Sequence, residues 1–371
     1  MSAPATTTAP ATSGFRPIAN YDRPLWQRLL LTREAAIIGL FIVVVIAASA
    51  IVPNFSGQIT MTYLLLDMFP ILIIALPMTA IIVTGEIDLS VASVVGFSSV
   101  LTGVLTQAGV PFGLTIVIAI VAGILCGAFN GFLITAVGLP SLAVTIGTLA
   151  LYRGLAVGLL GTTAVTDFPE FWTGLAKAKI GSTGIPVVMI LFVLLAAAFA
   201  ILLHFTRFGR GVFAIGLSPE AARFSGVNVA RTKLLLFALS GAVAALAGIY
   251  YTLRYGSARG DNATGMEMQV IAAVLLGGVS IFGGRGALHG VIAGVLLIGV
   301  LASALRLANV TSDVINIITG VLLIAAVVSS SVFAAFKNRR RSGPKLRLAG
   351  TPGTGAISVA GSSAPRSGAG S

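Results

Sequence analysis

"DMFPILIIALPMTAIIVTGEIDLSVASVVGFSSVLTGVL", residues 67–105, decides the class of fold. It holds two apolar stretches, within spans placed at about 62–84 and 89–107. A membrane-crossing helix needs ~20 consecutive apolar residues, and each stretch is of that order. Between them lie Gly85, Glu86 and Asp88. Gly85 allows the chain to turn sharply. A carboxylate near a membrane interior is expensive, so Glu86 and Asp88 should face a cavity or a partner group. The plainer role is capping, with Asp88 or Ser90 taking the free N–H groups where the next helix begins. The two roles are compatible.

The rest of the chain agrees with this stretch. Of 371 residues, 57% are hydrophobic and only 9% are charged, against about 25% in a soluble domain. The mean hydropathy is +1.03. A soluble fold of this size could not cover so much apolar surface. The formal net charge is +12, but the basic residues fall in short segments between apolar runs. That is the pattern of membrane topology and not of a nucleic-acid binder. Cys126, the single cysteine, rules out an internal disulfide and reads as a packing residue. No cleavable leader is expected, because the first ~30 residues are polar and the first apolar run is long enough to span.

Ten spans are expected, at about 35–53, 62–84, 89–107, 112–137, 141–160, 185–205, 232–253, 268–282, 287–305 and 312–333. The eighth is short and reads as broken or as ending inside the protein. With the N-terminus in the cytoplasm, seventeen of the 23 Lys and Arg residues fall on the cytoplasmic side and six on the other. That asymmetry orients the chain with both termini cytoplasmic. The segments are then a cytoplasmic tail (1–34), a transmembrane domain (35–335) with a basic cytoplasmic loop (206–231), and a tail (336–371) that is basic and then Gly/Ser-rich. Residues 1–15 and 342–371 lack the composition for a core. "KNRRR", 337–341, reads as a charge cluster at the headgroups.

Neutral polar groups recur in "NGFLITAVGLPSLAVTIGTLALYRGLA", Asn130–Ala156. Thr145 and Thr148 can bond their own helix backbone. Together with Asn130 they could instead face a pathway for a neutral polyol or sugar, donating and accepting without the desolvation cost of a charge. The glycines of "AAVLLGGVSIFGGRGALHG", 272–290, read as close helix packing and a tight cytoplasmic turn. No phosphate-loop pattern occurs, and "GRGVFA" at 209–214 follows a span and not a strand. His204 and His289 have no ligand pattern around them, so no metal and no cofactor are expected. "TDFPEFW", 166–172, reads as an interfacial aromatic belt or as a docking surface for an extracytoplasmic partner.

"SPEAARFSGVNVARTK", 218–233, interrupts this apolar chain. Ser218 fits an N-cap, Pro219 the first helical turn, Glu220 the positive end of the dipole, and Gly226 the stop. A short helix outside the bilayer follows. Its exposed face is expected to be small (Ala221, Ala222, Ser225, Gly226), which suits a groove on another protein. An ordinary structured loop is the alternative.

Four motifs in order carry a resemblance. "GEIDLSVAS", "NGFLITAVGLPSLAVTIGTLALYRGLA", "GRGVFAIGLSPEAARFSGVNVARTK" and "IAAVLLGGVSIFGG" resemble the bacterial ABC-importer permeases of the ribose type, a group that includes permeases for xylose, ribose, rhamnose and autoinducer-2. "EAARFSG" is similar to their E-A-A-x-x-x-G signature. The resemblance implies the ABC-importer permease fold in the bacterial inner membrane, an all-α polytopic protein of about ten helices with a short coupling helix. It implies ATPase coupling through Glu220, Ala221, Ala222 and Gly226. It also implies no chemistry in this chain, a separate ABC ATPase, an extracytoplasmic sugar-binding protein, and a second permease copy or paralogue. Two departures stand out. Glu86 replaces the second glycine of Gly-Gly-Ile-Asp-Leu-Ser, and Glu267-Met268-Gln269 replaces Glu-Leu-Asp. Pathway or gating candidates are Glu86, Asp88, Ser90, Asn130, Thr145, Thr148 and Glu267. The expected solute is a pentose or deoxyhexose. Autoinducer-2 or a branched-chain amino acid is the alternative, and a secondary transporter is the competing mechanistic class.

Overall fold

The computed structural model describes residues 33–321 and 324. They form a helical bundle. Its elements are α1 (Arg33–Ile51), α2 (Gln58–Val83), α3 (Val91–Gln107), α4 (Phe112–Thr135), α5 (Ser141–Leu160), α6 (Glu170–Lys177), α7 (Val188–Phe205), α8 (Arg207–Leu217), α9 (Pro219–Phe224), α10 (Val229–Tyr255), α11 (Met266–Leu276) and α12 (Leu288–Leu307). A short apolar helix α13, Ser312–Val321, follows. Among the described residues, seven helices are long and apolar enough to cross a membrane: α1, α2, α4, α5, α7, α10 and α12. α3, α11 and α13 are apolar but shorter. These ten correspond in order to the ten expected spans; α3 and α11 are too short to cross alone, and α13 is described only as far as Val321. The tenth expected span runs past the described residues, as do the two tails and the 337–341 cluster.

α2 is the centre of the bundle. In its most apolar window 89% of residues are buried, against 6% for α1, although both are equally greasy helices. Hydropathy marks a span but cannot rank it by depth, since lipid and a protein interior are alike apolar. Packing decides the depth. α10 makes its most extensive contact with α4. The reason is a row of glycines at i, i+4 and i+8, Gly123, Gly127 and Gly131, which share one face of α4. A side chain on Gly127 would strike the Phe237 carbonyl, and one on Gly123 would strike Gly241 and Ala245. Bare backbone there lets the helices approach closely.

Several threonine hydroxyls of the bundle are satisfied within their own helix. Thr62, Thr79, Thr102 and Thr135 each donate to the carbonyl four residues back in their own helix. This back-bonding removes the cost of a polar group in an apolar interior.

Two interruptions shape one end of the bundle. α2 stops at Val83, and Gly85, at φ +84°, turns the chain into a non-helical segment that reaches Ser90 before α3 begins. α11 is only 11 residues long and ends at Gly277; a glycine-rich turn then leads to α12. The eighth expected span, 268–282, therefore ends early: residues 277–282 are a turn, because four glycines follow within eight positions of Leu276. The two interruptions meet where the Gly284 N–H donates to the Val83 carbonyl at 2.8 Å. That bond satisfies one of the orphan carbonyls left at the end of α2.

The connection between α5 and α7 contains α6, which the sequence reading did not resolve as a helix. Phe168 is buried, and Trp172 packs on Phe112 with ring centroids 5.2 Å apart. Of the three aromatics only Phe171 is exposed. Trp172 thus ties α6 to the start of α4.

Candidate functional site

The segment between α2 and α3 carries a buried polar cluster. Asp88 is buried, and its Oδ1 accepts from the Ser90 N–H (3.0 Å) and the Ser90 hydroxyl (2.6 Å). Its Oδ2 accepts from the Ser240 hydroxyl on α10 (3.1 Å). Asp88 is therefore the group that takes a free N–H at the start of α3. Ser90, at the N-cap position, makes no cap bond with its side chain. Ser90 Oγ instead accepts from the Asn130 amide (2.8 Å), and the Tyr152 hydroxyl donates to Asn130 Oδ1 (3.2 Å) and to the Cys126 carbonyl (2.9 Å). One unbroken chain of bonds thus joins α10, the 84–90 segment, α4 and α5.

α5 reaches the same segment from its other end. The Ile87 N–H donates to Ser141 Oγ (3.3 Å), and the Thr145 hydroxyl donates to the Ser141 carbonyl (2.8 Å) and toward the Ile87 carbonyl (3.3 Å). Thr148 donates to the Thr145 carbonyl at 3.4 Å. Glu86 forms an ion pair with Lys233, in the first turns of α10. Six of the seven pathway candidates, Glu86, Asp88, Ser90, Asn130, Thr145 and Thr148, are therefore neighbours around one segment. Five of them are buried, and each of the six makes a hydrogen bond or ion pair within this chain.

Glu267 stands apart. It occupies the first turn of α11, where Arg153 is a charged neighbour. Arg153 donates to the Gly260 and Asn262 carbonyls (2.8 and 2.7 Å) and to the Ala92 carbonyl (3.3 Å). It pins the 256–265 connection to α3 and α5. Nearby, the Asn262 amide donates to Ser99 Oγ (2.8 Å), which pairs with Thr252 Oγ1 (2.6 Å). A second charged knot joins Asp67 to Arg254 (3.1 Å) and Arg306 (3.8 Å), beside a cleft of about 310 Å³ between α2 and α12.

The expected short helix outside the spans is α9. Ser218 Oγ accepts from the Ala221 N–H (3.2 Å), Pro219 opens the helix, and Gly226 follows it at φ +82°. The Ser218 hydroxyl also donates to Glu220 Oε2 (3.1 Å). That bond, together with the backbone N–H of Glu220, holds the carboxyl below its ordinary value; the backbone contribution is the larger. One expectation about this helix fails. Ala222 is buried against Ile215 and Val229, so it is not on the exposed face. The helix turns Phe224 outward instead. Burying Ala222 lets α9 lie close on α8 and the base of α10, and the register of a one-and-a-half-turn helix then leaves Phe224 on the opposite side.

α8, which precedes α9, was not legible as a separate helix. Thr206 caps it by accepting from the Gly209 N–H (3.2 Å). Its Gly216 lies on the Val83 carbonyl and on Gly284, with no room for a side chain. Three segments thus converge at Val83: the 84–90 segment, the 277–287 turn and the α8–α9 loop.

Sequential apolar spans, two interruptions and a capped polar helix beside them define a multi-pass membrane protein. Residues 60–327 match the family model described as "Branched-chain amino acid transport system / permease component", and the chain belongs to that family. Over 305 residues it is 37% identical to the autoinducer 2 import system permease protein LsrD of Escherichia coli strain K12, covering 81% of this chain and 92% of the relative. The LsrD proteins of Shigella flexneri and Escherichia coli O157:H7 match to the same extent. No solved structure matches the chain. The protein is a permease subunit of a sugar-type ABC importer in the inner membrane, a transport component and not an enzyme.

Proposed function

We propose that this chain, paired with a second copy or a paralogous permease, imports a small neutral, hydroxyl-bearing solute, driven by a separate ABC ATPase docked at α9. The observation that carries the reading is the placement of α9. It is capped at both ends, seated on α8 through Ala222, and linked by Gly216 to the point where α2 and the 277–287 turn meet. A push on α9 reaches α2, the most buried helix, through backbone contacts and not through loose side chains. Closing of the ATPase would thereby change the packing around the 84–90 segment. In this reading both termini and α9 are cytoplasmic, as the basic residues direct, and the 161–187 connection faces an extracytoplasmic binding protein.

The solute class follows from charge. Glu86 and Asp88 are already engaged by Lys233, Ser90 and Ser240, so the remaining polar side chains near the segment are neutral. A zwitterion would need free charged partners. The names of the relatives favour autoinducer 2 first and a monosaccharide second.

Uptake by the reconstituted importer tests both parts. Uptake should require ATP and the ATPase subunit, and Glu220→Lys or Gly226→Asp should abolish the coupling. ATP-driven uptake that survives both changes would sink the docking role. Autoinducer 2 should compete better than ribose, xylose or rhamnose, with leucine inert; effective competition by leucine would overturn the solute class.

A further inference from the structure

The exposed apolar residues at the α9 end form a pattern. Phe224 is 94% exposed, Phe282 80% and Leu217 72%. They come from three places in the chain: α9, the turn after α11, and the end of α8. The geometry brings these segments together. The Leu217 side chain lies over Gly284, leaving no space for a Cβ there, and Gly216 lies on Gly284 as well.

The turn itself is built to project one side chain. The Gly283 N–H donates to the Ser280 carbonyl (3.0 Å), and the Ser280 N–H donates to the Arg285 carbonyl (3.0 Å). Gly283 and Gly284 take φ of +81° and +72°, which only glycine adopts freely. Of the two residues at the tip, Ile281 packs on the core and Phe282 points away. The Gly284 N–H bond to the Val83 carbonyl then anchors the turn to α2. An aromatic held on a rigid tip is already ordered for binding, so docking it costs little conformational entropy.

All but one of the charged residues in the loops that carry these three side chains are basic. Arg207, Arg210, Arg223, Arg231 and Arg285 are exposed in the same two loops, where Glu220 is the one acidic residue. Apolar centres ringed by arginine are the composition of a protein interface core and rim.

We infer that Phe282 is a second docking point for the ATPase, beside α9, and that the partner surface holds an apolar socket for Phe224 and Phe282 within an acidic rim. This rests on the proposed ATPase docking and extends it to a turn whose glycines account only for packing. Because the turn is hydrogen-bonded to α2, a partner gripping Phe282 and α9 together would hold the end of α2 from both sides. Membrane headgroups are the other class that an exposed aromatic among arginines could meet. Two rigid elements in fixed register favour a polypeptide.

Thiol labelling separates the outcomes. Phe282→Cys, Phe224→Cys and, as the control at the opposite end, Phe171→Cys are each made on a Cys126→Ala background. Lipid nanodiscs, which leave both membrane faces open to solvent, holding the permease alone or the permease with the ATPase subunit of its own import system, are treated with a bulky water-soluble maleimide. The expected result is fast labelling of positions 282 and 224 in the permease alone. With the ATPase present both should slow at least about tenfold, as solvent-excluded interface positions do, while the Phe171→Cys rate should stay unchanged. Protection of 224 with none at 282 overturns the second docking point and leaves the docking at α9 standing. Protection at neither position overturns both. Failure of 282 to label in the permease alone places the tip among lipid headgroups and also overturns the inference.

Discussion

Lys233 and Glu86 form an ion pair across 147 residues of chain, joining the first turns of α10 to the segment between α2 and α3. Both side chains are mostly buried. Lys233 lies just beyond the α8–α9 loop, so the pair ties the base of that loop to the polar cluster around Asp88. Removing one partner leaves a charge in a poorly solvated place, and such breaks cost more than the pair itself contributes. Glu86→Lys and Lys233→Glu should each lower the yield of folded permease and its uptake. The combined exchange should recover most of both, measured by solute uptake normalised to membrane protein. A double variant no better than either single change would show that the pair is incidental.

Asp88 should matter for folding at least as much as for transport. Asp88→Ala would strip the acceptor from the Ser90 N–H, the Ser90 hydroxyl and the Ser240 hydroxyl. Each buried group left unpaired costs about 1–3 kcal/mol. Asp88→Asn keeps the shape and one acceptor oxygen. Detergent-solubilised Asp88→Ala protein should therefore aggregate at a clearly lower temperature than Asp88→Asn, which should lie between it and the parent chain. Equal melting of all three would contradict the network.

The α4–α10 contact offers a test of packing free of any charge. Gly127→Ala would drive a methyl into the Phe237 carbonyl, which belongs to a helix backbone and cannot swing aside. Overpacking of this kind costs about 1–3 kcal/mol. Gly147→Ala, on α5 with open space around its Cα, should be neutral in an isolated chain. Comparing the thermal stability of the two variants checks the prediction; similar losses would mean that the glycine row is not what sets the helix distance.

Much of this architecture is legible in the chain, and the illegible part has physical causes. Apolar length alone placed the spans, because the bilayer sets one length for all of them. It could not show that α2 is central and α1 peripheral, since either helix satisfies the same solvent. The Ser218-Pro219-Glu220 start and the Gly226 stop of α9 are local chemistry and read directly. The burial of Ala222 depends on Ile215 and Val229, which only the fold brings to it. The same holds for Lys233, Ser240 and Tyr152. Each is an unremarkable residue in sequence and becomes a partner of Glu86, Asp88 or Asn130 once α10 and α5 are packed. Phe282 was hidden by its neighbours, because a run of glycines reads as packing and says nothing of the one side chain it projects.

The cap of α9 carries a pH dependence whose sign can be worked out. Glu220 is held below its ordinary value of 4.5 by its own backbone N–H and by the Ser218 hydroxyl. A depressed carboxyl stabilises the folded helix fully above the unfolded value, and that contribution is lost as pH falls through the lower folded value. The start of α9 should therefore be equally firm from about pH 8 down to about pH 5 and loosen only below the ordinary carboxylate range. Amide hydrogen exchange at Ala221, whose N–H is bonded to Ser218 Oγ, reports this after correction for intrinsic rates. Glu220→Gln should flatten the profile, and Ser218→Ala should lower protection at every pH, by about 1 kcal/mol for a lost N-cap. Loosening that began already near pH 6 would point to a different titrating group and remove Glu220 from the cap.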